Sequence, residues 1–88
     1  SSEELVISPS VSFNGQPMNL SGIVYGGQNH FTCRVVDETG SVYRHDGMIN
    51  GLVCEKEADL CRVTPPDLGT WHASDGSKKE AVLVFYQL

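Results

Sequence analysis

The sequence predicts a mainly β fold, α+β at most: a small twisted antiparallel sheet of about four to six strands with at most one short helix. Three observations carry this. Nine glycines and four prolines punctuate 88 residues, a density of turn residues that separates short strands rather than long helices. The apolar runs at 20–25, 30–36 and 81–86 are rich in β-branched and aromatic residues, which suit a pleated surface. There is no heptad repeat and no Ala/Leu/Lys/Glu block of the kind that builds a helical bundle.

Residues 1–88 read as a single small domain, with an irregular excursion over about 47–78. Hydrophobic residues make up 40% and charged residues 19%, a globular rather than a disordered balance. The net charge is −5, and of six basic residues only Lys78 and Lys79 are adjacent. Phosphate-backbone binding needs clustered cations, so no nucleic-acid partner is expected. No apolar run approaches the ~18 residues of a membrane span, so no membrane partner is expected. Three cysteines, Cys33, Cys54 and Cys61, are an odd number for a closed disulfide framework. With no signal-like N-terminal pattern, the expected location is cytoplasmic or nuclear. Cys54 and Cys61 are separated by six intervening residues with no C-x-x-C, and His30, His45 and His72 are scattered, so neither metal nor other cofactor is expected.

In order along the chain, Leu5–Ile7 is a short apolar run stopped by Pro9. Asn14-Gly15, between Val11–Phe13 and Met18–Leu20, is a type I′ turn signal. Leu20–Tyr25 is a strand, with Leu20 and Val24 expected on one face and Ile23 and Tyr25 on the other. Gly26-Gly27 is expected to break it. His30–Asp37 is the next strand, with Phe31, Cys33 and Val35 on one face and His30, Thr32, Arg34 and Val36 on the other. Cys33 is expected in the core. Asp37–Gly40 is a turn, and Ser41–Asp46 returns. Glu55–Leu60 offers one or two helical turns. Val63–Gly69, with its two prolines, reads as loop. Trp71 and His72 sit in a polar context. Ala81–Tyr86, six apolar residues in a row, reads as a central buried strand.

The hairpin from His30 to Asp46 carries the chemistry. With Asp37–Gly40 as the loop, Val36 pairs with Ser41 and His30 falls opposite Gly47. A three-residue loop or a bulge moves this by one residue either way. His30 and Asp46 are then cross-strand or diagonal neighbours, and diagonal Cα positions roughly 7–8 Å apart let an imidazole reach a carboxylate on the same face. A histidine oriented by a carboxylate is the base half of a nucleophilic triad. The nucleophile is harder to place. Cys33 follows His30 by three residues and points to the opposite face. Cys54 and Cys61 lie in the excursion without a helix N-terminus to activate them. No G-x-S-x-G elbow is present.

Over Leu20–Leu88 the chain resembles the C-terminal part of the ubiquitin-specific protease domain, the papain-like deubiquitinases. In that family a Y-x-L-x-x-V-V-x-H strand leads through glycines to a G-H-Y/F box. Leu20-Ser21-Gly22-Ile23-Val24-Tyr25-Gly26-Gly27-Gln28-Asn29-His30-Phe31-Thr32 has that shape. The family's orienting acid stands where Val42-Tyr43-Arg44-His45-Asp46-Gly47-Met48 stands here, and its closing A-Y-x-L-F-Y strand is matched by Ala81-Val82-Leu83-Val84-Phe85-Tyr86.

The resemblance implies half of a deubiquitinase palm, with His30 as general base and Asp46 orienting it. It implies that Gly26, Gly27, Gln28, Asn29 and Phe31 meet a substrate tail. The family's cysteine box, oxyanion asparagine and fingers subdomain with its zinc cysteines have no counterpart in these residues, and Gln28-Asn29 replaces the usual glycine before the histidine. The expectation is a fragment inactive by itself, belonging to a cysteine-type ubiquitinyl hydrolase if joined to a larger enzyme. Its expected partners are ubiquitin or a ubiquitin-like protein, a complementary protease half, or a second copy in a homodimer. The alternative is a non-enzymatic β-domain for protein–protein interaction.

Overall fold

Strand after strand pairs antiparallel into one curled sheet in a computed structural model, which describes residues 6–27, 30–46, 54–73 and 75–88. The strands are β1 (Ser10–Phe13), β2 (Gln16–Gly27), β3 (His30–Val36), β4 (Ser41–His45), β5 (Glu55–Asp59), β6 (Thr70–His72) and β7 (Lys78–Gln87). They lie in the order β5-β4-β3-β2-β7-β6, with β1 folded onto β2 off this path. A 3₁₀ turn, Leu60–Arg62, and a four-residue helix α1, Pro65–Leu68, join β5 to β6. The fold is mainly β, as its turn-rich, β-branched sequence predicts. Asn14 (φ 51°) and Gly15 (φ 76°) both take the positive φ that a type I′ turn demands, and Phe13 pairs with Gln16 across them.

Long β2 is the spine, paired with β1, β3 and β7. Its facing differs from simple alternation because the β2–β7 register shifts between Leu20 and Gly22. The extra residue, Ser21, turns Leu20 onto the face of Ile23 and Tyr25, as a β-bulge does. All three are buried, and Val24 is left on the other side. Gly26 and Gly27 continue β2 instead of breaking it, pairing with Phe31 and His30. A Cβ on Gly26 would lie 2.7 Å from Phe31 Cε1, so this glycine makes room for the aromatic ring laid across it.

The core occupies one face. Leu20, Ile23, Tyr25, Val36 and Val42 from the sheet meet Ile7, Leu68 and Trp71. The stretch expected to be an irregular surface excursion therefore supplies part of the core. Glu55–Asp59 is a strand rather than a helical segment, paired with β4. The helix falls instead at Pro65–Leu68, where the prolines occupy N1 and N2, positions whose missing N–H costs no helical hydrogen bond. Trp71, expected in a polar setting, is 1% exposed.

The opposite face is open and apolar. Phe31, Val35, Val82, Leu83 and Phe85 are all exposed. β7 lies between β2 and β6, yet it is not the doubly buried strand its six apolar residues predict. Among the described residues no second layer covers that face. Cys33 is likewise not in the core: it is half-buried, on the side away from Thr32 and Arg34.

Candidate functional site: a histidine–aspartate pair on the β3–β4 hairpin

The turn between β3 and β4 sets the geometry. Val36 pairs with Val42 and Cys33 with His45, one residue beyond the register of a four-residue loop. Asp37 N–H donates to the Ser41 carbonyl at 3.0 Å, which leaves Glu38, Thr39 and Gly40 as the loop, with Gly40 at φ 87°. This is the three-residue hairpin closed by an αL glycine. Asp37 Oδ1 ties the turn together by accepting from Thr39 N (3.0 Å), Thr39 Oγ1 (2.6 Å) and Ser41 N (2.9 Å). The Thr39 hydroxyl first, then the Ser41 amide, hold the Asp37 carboxyl below the ordinary aspartate range.

Carried along the strands, this register sets Asp46 opposite Thr32, one diagonal step from His30. The structure brings the two together, with His30 Nε2 2.9 Å from Asp46 Oδ1. Their side chains are 22% and 10% exposed, so the pair is shielded yet open at one edge. An Nε2–H donated to the carboxylate leaves the Nδ1 lone pair as the basic atom of a neutral imidazole. That arrangement can accept a proton from a thiol or hydroxyl brought to Nδ1, and it stabilises the resulting imidazolium.

None of the three cysteines reaches that position. Cys33 lies on the opposite face, beside His45 in the register. Burial raises its thiol pKa, and the nearby Cys54 adds to the shift, which weakens it as a nucleophile at neutral pH. Cys54 is exposed at the head of β5. Cys61 is also exposed, in the 3₁₀ turn, where Leu60 N–H donates to Gly40 at the tip of the hairpin. That tip is a whole strand, about 20 Å, from His30.

Of the residues expected to meet a substrate tail, Gly26, Gly27 and Phe31 stand beside His30, at the end of the β2–β3 pair. Phe31 is 64% exposed on the apolar face. Gln28 and Asn29 lie outside the described residues.

Sequence reasoning missed the polar centre of the site's own face. Arg34 is buried two positions beyond Thr32. Its Nε and Nη2 donate to the two carboxylate oxygens of Glu57 at 2.9 and 2.8 Å. Its Nη1 donates to the Tyr25 hydroxyl (2.9 Å) and to the carbonyls of Asp67 (2.8 Å) and Thr70 (3.3 Å). Tyr25 in turn donates to the Leu68 carbonyl. Burial, the largest single influence, opposes the Arg34 charge, but the hydrogen bonds and charges of Glu57 and Tyr25 together outweigh it and the pKa is raised. Burial likewise raises Tyr25, against the opposing pull of Arg34. One guanidinium thus ties β2, β3, β5, α1 and β6 beneath the hairpin. The available signal was an arginine sharing a strand face with Thr32 and Val36.

Comparison with protein-family models, curated proteins and solved structures finds no match to this chain.

Proposed function

We propose that this chain is the base-bearing half of a papain-like cysteine protease site of the ubiquitin-specific type. In this reading His30 is the general base, Asp46 its orienting acid, and the nucleophilic cysteine comes from outside these 88 residues. The observation that carries the proposal is the 2.9 Å contact between His30 Nε2 and Asp46 Oδ1, reached by a hairpin whose register can be read from its turn. The proton path is short. A thiol set beside His30 loses its proton to Nδ1, the thiolate attacks a carbonyl carbon, and the imidazolium returns the proton to the leaving amine. The chain alone is inactive, because no thiol faces Nδ1.

The open apolar face supports a complementary half. Phe31, Val35, Val82, Leu83 and Phe85 form a surface of the kind that marks interaction sites; it lies on the side of the sheet away from the His30 and Asp46 side chains, so a half docked there reaches them round the strand end. The same face favours a second reading: a non-enzymatic module that binds ubiquitin, a ubiquitin-like protein or a second copy of itself.

The experiment mixes the chain with a fluorogenic ubiquitin substrate, alone and with a polypeptide carrying a cysteine box of this protease type. Turnover that needs both chains and disappears in His30→Ala supports the protease half. Ubiquitin binding without turnover favours the module. A mixture that neither binds nor cleaves contradicts both.

A further inference from the structure

All three arginines of this acidic chain, half of its six basic residues, converge on one cavity. It holds about 320 Å³ and is lined by Arg34, Arg44 and Arg62, with His72, Glu57 and Asp67. Arg34 and Arg44 are direct cross-strand partners, a like-charge pairing that is unfavourable unless something offsets it. Glu57 takes Arg34 bidentately and so neutralises one of the three guanidinium groups. Arg44 has no such bidentate partner among the described residues, although exposed Glu55 stands opposite it across β4–β5 and Asp67 also lines the cavity. Its guanidinium carbon lies 4.2 Å over the Trp71 ring, and Trp71 is itself fixed in the core. Stacking occupies the face of a guanidinium and leaves its edge N–H groups available to an acceptor in the plane. Arg62, exposed in the 3₁₀ turn and also lining the cavity, adds a second fork with no ion pair among the described residues.

We infer that this cavity is an oxoanion-binding site in which Arg44, steadied on Trp71, and Arg62 grip a carboxylate or phosphate group. Planar forks of this kind match both anions with paired hydrogen bonds. Arg34 is committed to Glu57, Tyr25 and backbone carbonyls, so it holds the wall rather than touching the ligand. The site is independent of the protease reading, since neither His30 nor Asp46 lines the cavity.

The single tryptophan of the chain lies under Arg44, so its fluorescence reports occupancy. The test titrates inorganic phosphate and, separately, glutarate, each at ionic strength held constant with sodium chloride. A saturable change in Trp71 emission with at least one anion supports the site, and the anion that saturates first identifies the source chemistry. Arg62→Gln, an exposed change that leaves the core intact, is expected to weaken that binding about tenfold, the value of one charge-assisted hydrogen bond. Arg44→Gln is expected to abolish it, read by calorimetry because this variant also alters the tryptophan's surroundings. Emission that follows ionic strength alone, or equal binding by wild type and Arg62→Gln, overturns the proposal.

Discussion

Replacing Glu57 with alanine strikes the polar centre beneath the hairpin. The substitution leaves Arg34, whose side chain is 8% exposed, with the Tyr25 hydroxyl and two carbonyls but no countercharge. Stripping the partner from a fully buried ion pair costs about 3–5 kcal/mol. The Glu57 side chain is 23% exposed, and solvent reaching that side screens part of the loss, so about 2–3 kcal/mol is expected. A domain of this length holds roughly 4–13 kcal/mol in all, so the variant folds but with a small margin. Urea unfolding followed by far-ultraviolet circular dichroism should show the midpoint lowered by about 1–2 M at unchanged slope. The double variant Arg34→Met with Glu57→Leu should recover much of the loss, because apolar packing often replaces a buried pair without penalty. A cost below about 0.5 kcal/mol for Glu57→Ala would place this pair among ordinary surface ion pairs and refute the description of Arg34 as the tie between five elements.

Other consequences are open to measurement. Gly40→Ala forces a side chain into φ 87° and should destabilise the hairpin by about 1 kcal/mol by thermal melting; an unchanged melting temperature would mean the turn tolerates another shape. The Asp37 carboxyl, hydrogen-bonded as its anion, should titrate below a peptide aspartate in carbon-detected NMR. With its folded pKa depressed, its stabilising effect is complete above the unfolded pKa and fades as pH falls through the folded one; a normal or raised value contradicts the turn geometry. Cys54 and Cys61 should react with a thiol reagent at neutral pH well before Cys33, whose thiol pKa burial raises; equal rates would argue against that shielding. Leu83→Ser combined with Phe85→Ser should reduce binding of an apolar dye and any self-association while costing less than about 1 kcal/mol, since both side chains are about half exposed. A collapse of the fold would show that the face is covered.

Local turn chemistry was legible in the sequence, and with it the pairing of His30 and Asp46. Asn14-Gly15 and Asp37–Gly40 admit few backbone paths, and the second fixes the β3–β4 register to within one residue. Alternation along β3 sorted its residues into two faces correctly. What it did not reveal was which face is inside. Phe31, Cys33 and Val35 look like the core side, yet Thr32 and Arg34 are the buried ones. Arg34 is tolerated there only because Glu57, Asp67 and Thr70 return from distant sequence to satisfy it. The Ser21 bulge, which moves Leu20 across the sheet, leaves no mark in a period-two pattern. Trp71 is buried because α1 and β6 fold back over β2, a long-range event invisible in its polar neighbours. The apolar run of β7 reads the same whether its outer face is covered by another layer or left open.

Under the protease proposal, His30 and Asp46 are a base and its orienting acid that await a nucleophile and oxyanion donors from another chain. The proposal is tested most directly by steady-state turnover of a ubiquitin-derived substrate in the presence of a chain bearing a cysteine box. The expected result is no turnover by this chain alone, turnover with both chains, and its loss in His30→Ala. Asp46→Asn should lower the rate by a large factor, as removing the orienting acid does in a serine triad, where the loss is about 10⁴. Activity that persists in His30→Ala, or that is indifferent to Asp46→Asn, would contradict it.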